Sequence, residues 1–267
     1  MKVLINEKER EVQEVSAYKL RDQYKKGADI VILNGFPIKE DRNVKDGDRL
    51  SFIKKGEIPN KEELEALMVS RHTPKVHEKL KKGKVAIAGA GGLGSNVAIS
   101  LARIGVGHIK IIDFDVVEPS NLNRQQYYIK HIGMKKVEAL KDILTEINPF
   151  IKVEAIDKKV EKDNIEDIFK GFDIVVEAFD NASYKAIIVG EVLKNFKDTK
   201  VVSASGMAGF YSNNIITTKK IGDRLYICGD RVHEAGINEG LMAPRVAIVA
   251  NHEANTVLRL LLNEIEI

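Results

Sequence analysis

The sequence predicts an α/β chain in two parts, a larger domain with a mostly parallel sheet and a smaller β-rich domain before it. Three observations carry this. The apolar run Val85-Ala86-Ile87-Ala88 turns through Gly89-Ala90-Gly91-Gly92-Leu93-Gly94 into a helix-like segment, then returns through His108 to Ile112 and ends at Asp113. Further apolar runs alternate with helical patterns to the end of the chain. The opening residues up to Ile53 place strand, strand, helix, strand, turn and strand in that order.

Composition bounds the possibilities. The 267 residues suffice for a large and a small domain, and 44% apolar content is ordinary for a globular chain. The formal charge of +3 comes from 42 basic and 39 acidic residues. That near-balance argues against a nucleic-acid partner, which would call for a basic stripe. No segment has the ~18 uncharged apolar residues of a membrane span, and the opening run Met1-Lys2-Val3-Leu4-Ile5-Asn6-Glu7 meets a charge too soon for a signal peptide. The expectation is a soluble cytoplasmic protein. The lone Cys228 excludes an internal disulfide and any Cys-x-x-Cys zinc pair.

In the first part, Val3-Leu4-Ile5 and Glu9 to Glu14 flank Asn6-Glu7-Lys8 and read as a hairpin. Ser16 can cap a helix through about Tyr24, with Gly27 ending it. Asp29 to Leu33 is a strand, stopped by Asn34-Gly35-Phe36-Pro37. Asp46-Gly47-Asp48 is a turn before the strand Arg49 to Ile53. This order is that of a ubiquitin-like β-grasp domain, assigned to 1–57. Residues 58–82 read as a helical linker, with Asn60 as cap, Leu64, Leu67 and Met68 as a stripe, and Pro74 as breaker.

Residues 83–267 then form the larger, Rossmann-like domain. Strand, glycine turn, helix, strand and acid make a nucleotide fold. Gly89, Gly91, Gly92 and Gly94 let the backbone turn tightly and approach a phosphate, and the helix start offers unpaired N–H groups and partial positive charge. Asp113 can accept hydrogen bonds from ribose hydroxyls. Val97, Leu101 and Ile104 give the helix its core face. The next helix begins in Gly133-Met134-Lys135-Lys136-Val137-Glu138-Ala139 and runs to Ile147, stopped by Asn148-Pro149. Ile151 to Ile156 is a strand and Asn164 to Phe169 a short helix. Asp173 to Phe179 is a buried parallel strand ending at Asp180-Asn181, at the sheet edge where ligands sit in open α/β folds. Asp180 can also cap the helix Ala182 to Asn195. Lys200 to Ser205 is a strand, Asn214 to Thr218 and Arg224 to Cys228 a hairpin, Asp230 to Gly240 a polar loop, and Ala243 onward a last helix.

One stretch is not required by a dehydrogenase. Asp113-Phe114-Asp115 is followed by Asn121-Leu122-Asn123-Arg124-Gln125. With the glycine loop, it resembles the ubiquitin-activating superfamily and within it the ThiF and MoeB enzymes. Val31 to Lys54 resembles the sulfur carrier ThiS. The resemblance implies an ATP-dependent adenylyltransferase that activates the C-terminal glycine of a ThiS-type sulfur carrier in thiamine biosynthesis. It further implies that Asn121 and Arg124 contact nucleotide and phosphates, that Lys136 in Gly-Met-Lys-Lys-Val is the family lysine, and that Asp180 holds Mg²⁺. Arg71 stands where an arginine reaches the partner subunit's ATP, which implies a homodimer. Cys228 lies in the late region where some relatives form a persulfide link with the carrier. The zinc cysteines of the family are absent, so no zinc is expected.

Plainer roles stand beside these. Asp115 is a turn acid, Arg124 a surface ion-pair partner, Arg71 a helix-ending cation, and Cys228 a small buried hydrophobe. The carrier ends in Gly-Gly after its last strand, whereas here the chain continues through Lys54-Lys55-Gly56-Glu57. Two other functions therefore stay open. One is adenylation of a different carboxylate, such as that of the tRNA-dehydratase relatives. The other is a nucleotide-binding regulator whose β-grasp domain blocks the carrier site.

Overall fold

The structure is a computed structural model that describes residues 1–69, 72 and 75–266. The chain forms two compact units, Met1–Thr73 and Pro74–Ile267, each with its own sheet and core.

In the first unit β1 (Lys2–Ile5) and β2 (Lys8–Glu11) form the expected hairpin. The helix α1 (Ala17–Tyr24) follows, then β3 (Ile30–Leu33), β4 (Phe36–Ile38) and β5 (Arg49–Ile53). The sheet order is β2-β1-β5-β3-β4, with the first and last strands, β1 and β5, side by side and parallel. The helix lies across one face and buries Ala17 and Leu20 against Val3, Ile5, Val31, Leu50 and Phe52. This is a β-grasp arrangement.

Strand β4 departs from expectation. Asn34 and Gly35 take φ of 49° and 85°, the left-handed pair of a tight hairpin turn, so they return the chain rather than stop it. Pro37 is tolerated because β4 is an edge strand. At α1, Ser16 occupies the N-cap position but its hydroxyl makes no capping bond. Instead Asp41 Oδ1, far along the chain, accepts the Tyr18 N–H at 2.8 Å. Helix α2 (Lys61–Val69) starts at Asn60, whose Oδ1 accepts the Glu63 N–H at 3.0 Å. Glu63 in turn accepts from the Asn6 amide and lies 3.4 Å from Lys25 Nζ. This helix thus belongs to the first unit, and α3 (Val76–Leu80) to the second.

The second unit runs β6 (Lys84–Ala88), α4 (Gly92–Arg103), β7 (His108–Asp113), α5 (Lys136–Ile147), β8 (Lys152–Asp157), α6 (Ile165–Phe169), β9 (Ile174–Glu177), α7 (Ala182–Asn195), β10 (Lys200–Ala204), β11 (Thr217–Ile221), β12 (Leu225–Gly229) and α8 (Ala243–Leu261). Its sheet has the order β11-β12-β10-β9-β6-β7-β8. All neighbours are parallel except β11, which pairs antiparallel with β12 at the edge. The central strands read as unbroken apolar runs because both faces are covered. Val85, Ile87, Val176 and Val202 pack under α4, α5 and α8. Ala86, Ala88, Val175 and Val201 pack under α6 and α7. The late hairpin begins at Thr217 rather than Asn214, since residues 213–215 form a 3₁₀ turn with the Ser212 hydroxyl at its start.

Strand β6 lies between β7 and β9. From it the chain runs outward one way through β7 and β8, then back and outward the other way through β9 and β10. The carboxyl ends of β6 and β9 therefore flank the switch point, where open α/β sheets leave a crevice. Among the described residues, no helix is long and apolar enough to cross a membrane.

Candidate functional site

The glycine loop fills one side of this crevice, and its glycines are not equivalent. Gly89 has φ +105°, and a Cβ there would lie 2.8 Å from the Ala178 carbonyl oxygen. A Cβ on Gly94 would lie 1.9 Å from the Gly89 carbonyl oxygen. These two glycines let α4 and the β9 end press against the loop. Gly91 is different, since a Cβ there would meet only Gln125 Nε2, at 3.9 Å. Gly92 faces Val246 and the Arg124 stem at 3.1 and 3.6 Å. No side chain caps α4, so its first-turn N–H groups face the open side of the loop, where an anion is favoured.

The loop is held by side chains from far along the chain. Asp113 is buried and uses both carboxylate oxygens, Oδ2 accepting the Ala90 N–H at 2.7 Å and Oδ1 the Asp115 N–H at 2.8 Å. Each oxygen keeps a further lone pair. The acid expected to receive ribose thus also fixes the glycine loop. The Tyr127 hydroxyl donates to the Ala90 carbonyl at 2.7 Å, so Ala90 is gripped at both N–H and C=O. Burial, with the nearby Asp113 charge, pushes this phenol far above its ordinary range, so it stays a donor. Tyr127 carries no local sequence signal beyond its place two residues after Gln125.

Asn121 is buried, and its Oδ1 accepts the Glu118 N–H at 3.0 Å, which closes the turn that carries Arg124. The Arg124 guanidinium donates to Asn123 Oδ1 at 2.9 Å and the Ser120 carbonyl at 3.3 Å. Gln125 is buried with Oε1 left without a partner. Its Nε2 is the atom that faces Gly91. A cleft of about 340 Å³ adjoins it, lined by Asn96, Arg124, Gln125, Gln126, Pro244 and Ala247.

Lys136 begins α5, where a cation opposes the helix dipole. Its Nζ, nearly buried, donates to the half-exposed Asp115 Oδ2 at 2.8 Å. Asp115 is thus the ion-pair partner of Lys136.

On the other side of the crevice, Asp180 is exposed at the end of β9. It does not cap α7. The neighbouring Asn181 does so, its Oδ1 accepting the Ser183 and Tyr184 N–H groups at 2.9 and 3.2 Å. Glu177, fully buried at the strand end, pairs with Lys185 Nζ at 2.8 Å and accepts from the Ser203 hydroxyl at 2.6 Å.

Cys228 does not join this arrangement. It is fully buried in the face of β12 covered by α8, with Thr218 Oγ1 at 3.5 Å and Thr256 Oγ1 at 3.9 Å. Burial, and next the Glu253 carboxyl, push its thiol up to about 12. These are the surroundings of a core side chain, whereas a nucleophilic cysteine sits in an exposed, electropositive setting. Arg71 lies outside the described residues. Among the described residues no three His, Cys, Asp or Glu side chains cluster to hold a metal.

These features define a Rossmann-like α/β protein joined to a small β-grasp unit. Residues 64–267 match the model of the ThiF family, and the chain belongs to that family. Residues 1–56 match the model of ThiS-like ubiquitin. Over 145 residues, the chain is 39% identical to the adenylyltransferase and sulfurtransferase UBA4 of Saccharomyces cerevisiae, a match covering 54% of this chain and 32% of the relative. Over 109 residues, it is 41% identical to the molybdopterin-synthase adenylyltransferase of Haemophilus influenzae, covering 40% of this chain and 45% of the relative. The matches span less than half the length of either curated relative. Among solved structures, the Escherichia coli tRNA N6-threonylcarbamoyladenosine dehydratase TcdA in complex with ATP superimposes with a TM-score of 0.66 at 21% identity, over 74% of this chain and 93% of that one.

Proposed function

We propose that the chain is an ATP-dependent adenylyltransferase that activates the C-terminal glycine carboxylate of a ThiS-type sulfur carrier and releases pyrophosphate. The observation that carries this reading is the gathering of the open-faced glycine loop, Arg124, the Lys136–Asp115 pair and Asp180 at one switch point. The names of the curated relatives support the reaction class. In this reading the ATP phosphates lie over Gly89 to Gly94 and the ribose on Asp113. Arg124 and Lys136 neutralise phosphate charge, and Asn121 braces the Arg124 turn. Asp180 would hold Mg²⁺, which would supply further neutralisation of phosphate charge. Arg71 acts across a homodimer. A carrier carboxylate oxygen attacks the α-phosphorus, and the bond to the β-phosphate oxygen breaks. No side-chain nucleophile is needed, so catalysis is positioning and electrostatic stabilisation.

The test is ATP–pyrophosphate exchange with Mg²⁺, with and without a separate carrier ending in Gly-Gly. Exchange is expected only with the carrier. Asp180→Asn should lower it by about 10²-fold or more while the thermal midpoint stays unchanged; retained exchange would remove Asp180 from the metal role. A second reading rests on the first unit itself, whose last strand runs on through a turn at Lys54 to Glu57 without a diglycine end. ATP binding without exchange would favour a regulator, or an acceptor other than a ThiS-type carrier.

A further inference from the structure

Glu177 is the last residue of β9, in a strand otherwise built of Ile174, Val175 and Val176. Packing alone would be served by another apolar residue there, and burying a carboxylate is costly unless it is paired and fully hydrogen-bonded. Here it is both. Oε1 accepts the Phe179 N–H at 2.8 Å, two residues onward, and so bends the chain as it leaves the sheet. Oε2 accepts from the Ser203 hydroxyl of β10 at 2.6 Å and from Lys185 Nζ of α7 at 2.8 Å. The same carboxylate therefore ties together the strand end, the neighbouring strand and the helix that follows.

The segment between these ties is short and carries Asp180. On its upstream side the Ala178 N–H still donates to the Ala88 carbonyl at 2.8 Å, and the Ala178 carbonyl sits where a Cβ on Gly89 would meet it at 2.8 Å. On its downstream side Asn181 caps α7, and Lys185, in the next turn, reaches back to Glu177. Asp180 is the exposed residue left between two fixed points. Its own carboxylate needs no protein partner for its location to be set.

We propose that Glu177, through Lys185, Ser203 and the Phe179 N–H, is a positioning residue that sets where the Asp180 carboxylate stands relative to the glycine loop. The proposal rests on the reading of Asp180 as the acid that holds the divalent cation. Its chemical content is that a buried anion, which never meets the nucleotide, governs the affinity for the metal that accompanies it.

The experiment measures carrier-dependent ATP–pyrophosphate exchange as a function of Mg²⁺ concentration for the full chain and for Lys185→Met, Lys185→Arg, Glu177→Gln and Asp180→Asn, with the thermal midpoint of each. Lys185→Met and Glu177→Gln should each raise the half-saturating Mg²⁺ concentration by about tenfold, the low end of what losing the surroundings that orient a metal ligand costs. The KM for ATP at saturating Mg²⁺ should move by less than about threefold. Lys185→Arg, which keeps a donor and a charge, should recover most of the wild-type Mg²⁺ dependence. Lowered midpoints with an unchanged Mg²⁺ dependence, while Asp180→Asn does shift it, would overturn the positioning role alone. If Asp180→Asn leaves the Mg²⁺ dependence unchanged, the metal reading fails and the proposal falls with it. Glu177→Gln retains the shape of the side chain, so a folded variant remains should Lys185→Met not fold.

Discussion

At the scale of single residues, the two kinds of glycine in the loop separate folding from binding. A Cβ on Gly94 would stand 1.9 Å from a backbone oxygen with no way to yield. Gly94→Ala should therefore cost more than about 3 kcal/mol, well beyond the helix-propensity gain of under about 1 kcal/mol. Gly91→Ala meets almost nothing and should leave urea stability within about 1 kcal/mol. It should nevertheless weaken ATP binding in calorimetry, because the methyl would occupy the face over which the proposed function places the phosphates. Equal losses of stability in the two variants would contradict this division. Cys228 gives a third expectation. Its thiol is held protonated inside the core, so Cys228→Ala should retain exchange within about twofold and cost about 1 kcal/mol, the loss for one small buried group. The motif residues were readable because they are neighbours in the chain: Asp113, Asn121 and Arg124 lie within a dozen positions. Tyr127 escaped because its partner Ala90 is 37 residues away, and no local pattern announces a pairing of that kind.

At the scale of elements, the connections after β10 and β12 are joined to α8 by a buried ion pair. Arg245 in the first turn of α8 donates to Asp230 and to the Tyr211 and Ser212 carbonyls, and His233 Nδ1 lies 2.8 Å from Asp230 Oδ2. Burial opposes the charge on Asp230. The His233 and Val232 N–H groups, then the His233 and Arg245 side chains, outweigh it and hold the carboxyl at about 2. A carboxyl depressed in the folded state stabilises above its unfolded value, near 3.8, and that contribution is lost as pH falls from about 4 towards 2. Acid unfolding should therefore steepen in that window and lose this component in Asp230→Asn. The same substitution leaves Arg245 buried without its anion and should cost about 3–5 kcal/mol at neutral pH. Element types were legible from periodicity, because buried parallel strands and amphipathic helices leave long signals. Strand β4 was not, because three residues including Pro37 leave no period and the Asn34-Gly35 turn reads equally as an end. The acids and bases of this junction were not legible either. Asp230 and Arg245 are 15 positions apart, in a loop and a helix whose meeting depends on the whole sheet.

At the scale of the molecule, the sheet order does the gathering. Residues 89–94, 113–136 and 178–185 are far apart in the chain and meet because β6 lies between β7 and β9. Hydrogen exchange read by mass spectrometry, with and without Mg²⁺ and ATP, should show added protection in these three segments together. Protection confined to the first of them would mean that the crevice does not act as one site. The first unit has its own sheet and core, and the amides of its strands β1 to β5 are expected to exchange at the same rate with or without nucleotide.

The burial of Cys228 has a practical side. The chain holds a single thiol, and that thiol is sealed within the sheet packing. Any cysteine placed on the surface becomes the sole group that a maleimide dye or spin label can reach. Lys26 in the β-grasp unit and Lys158 after β8 are both exposed. Lys26→Cys with Lys158→Cys, and no background to remove, would turn the native protein into its own spectroscopic ruler, reporting the distance between its two units while substrate is added.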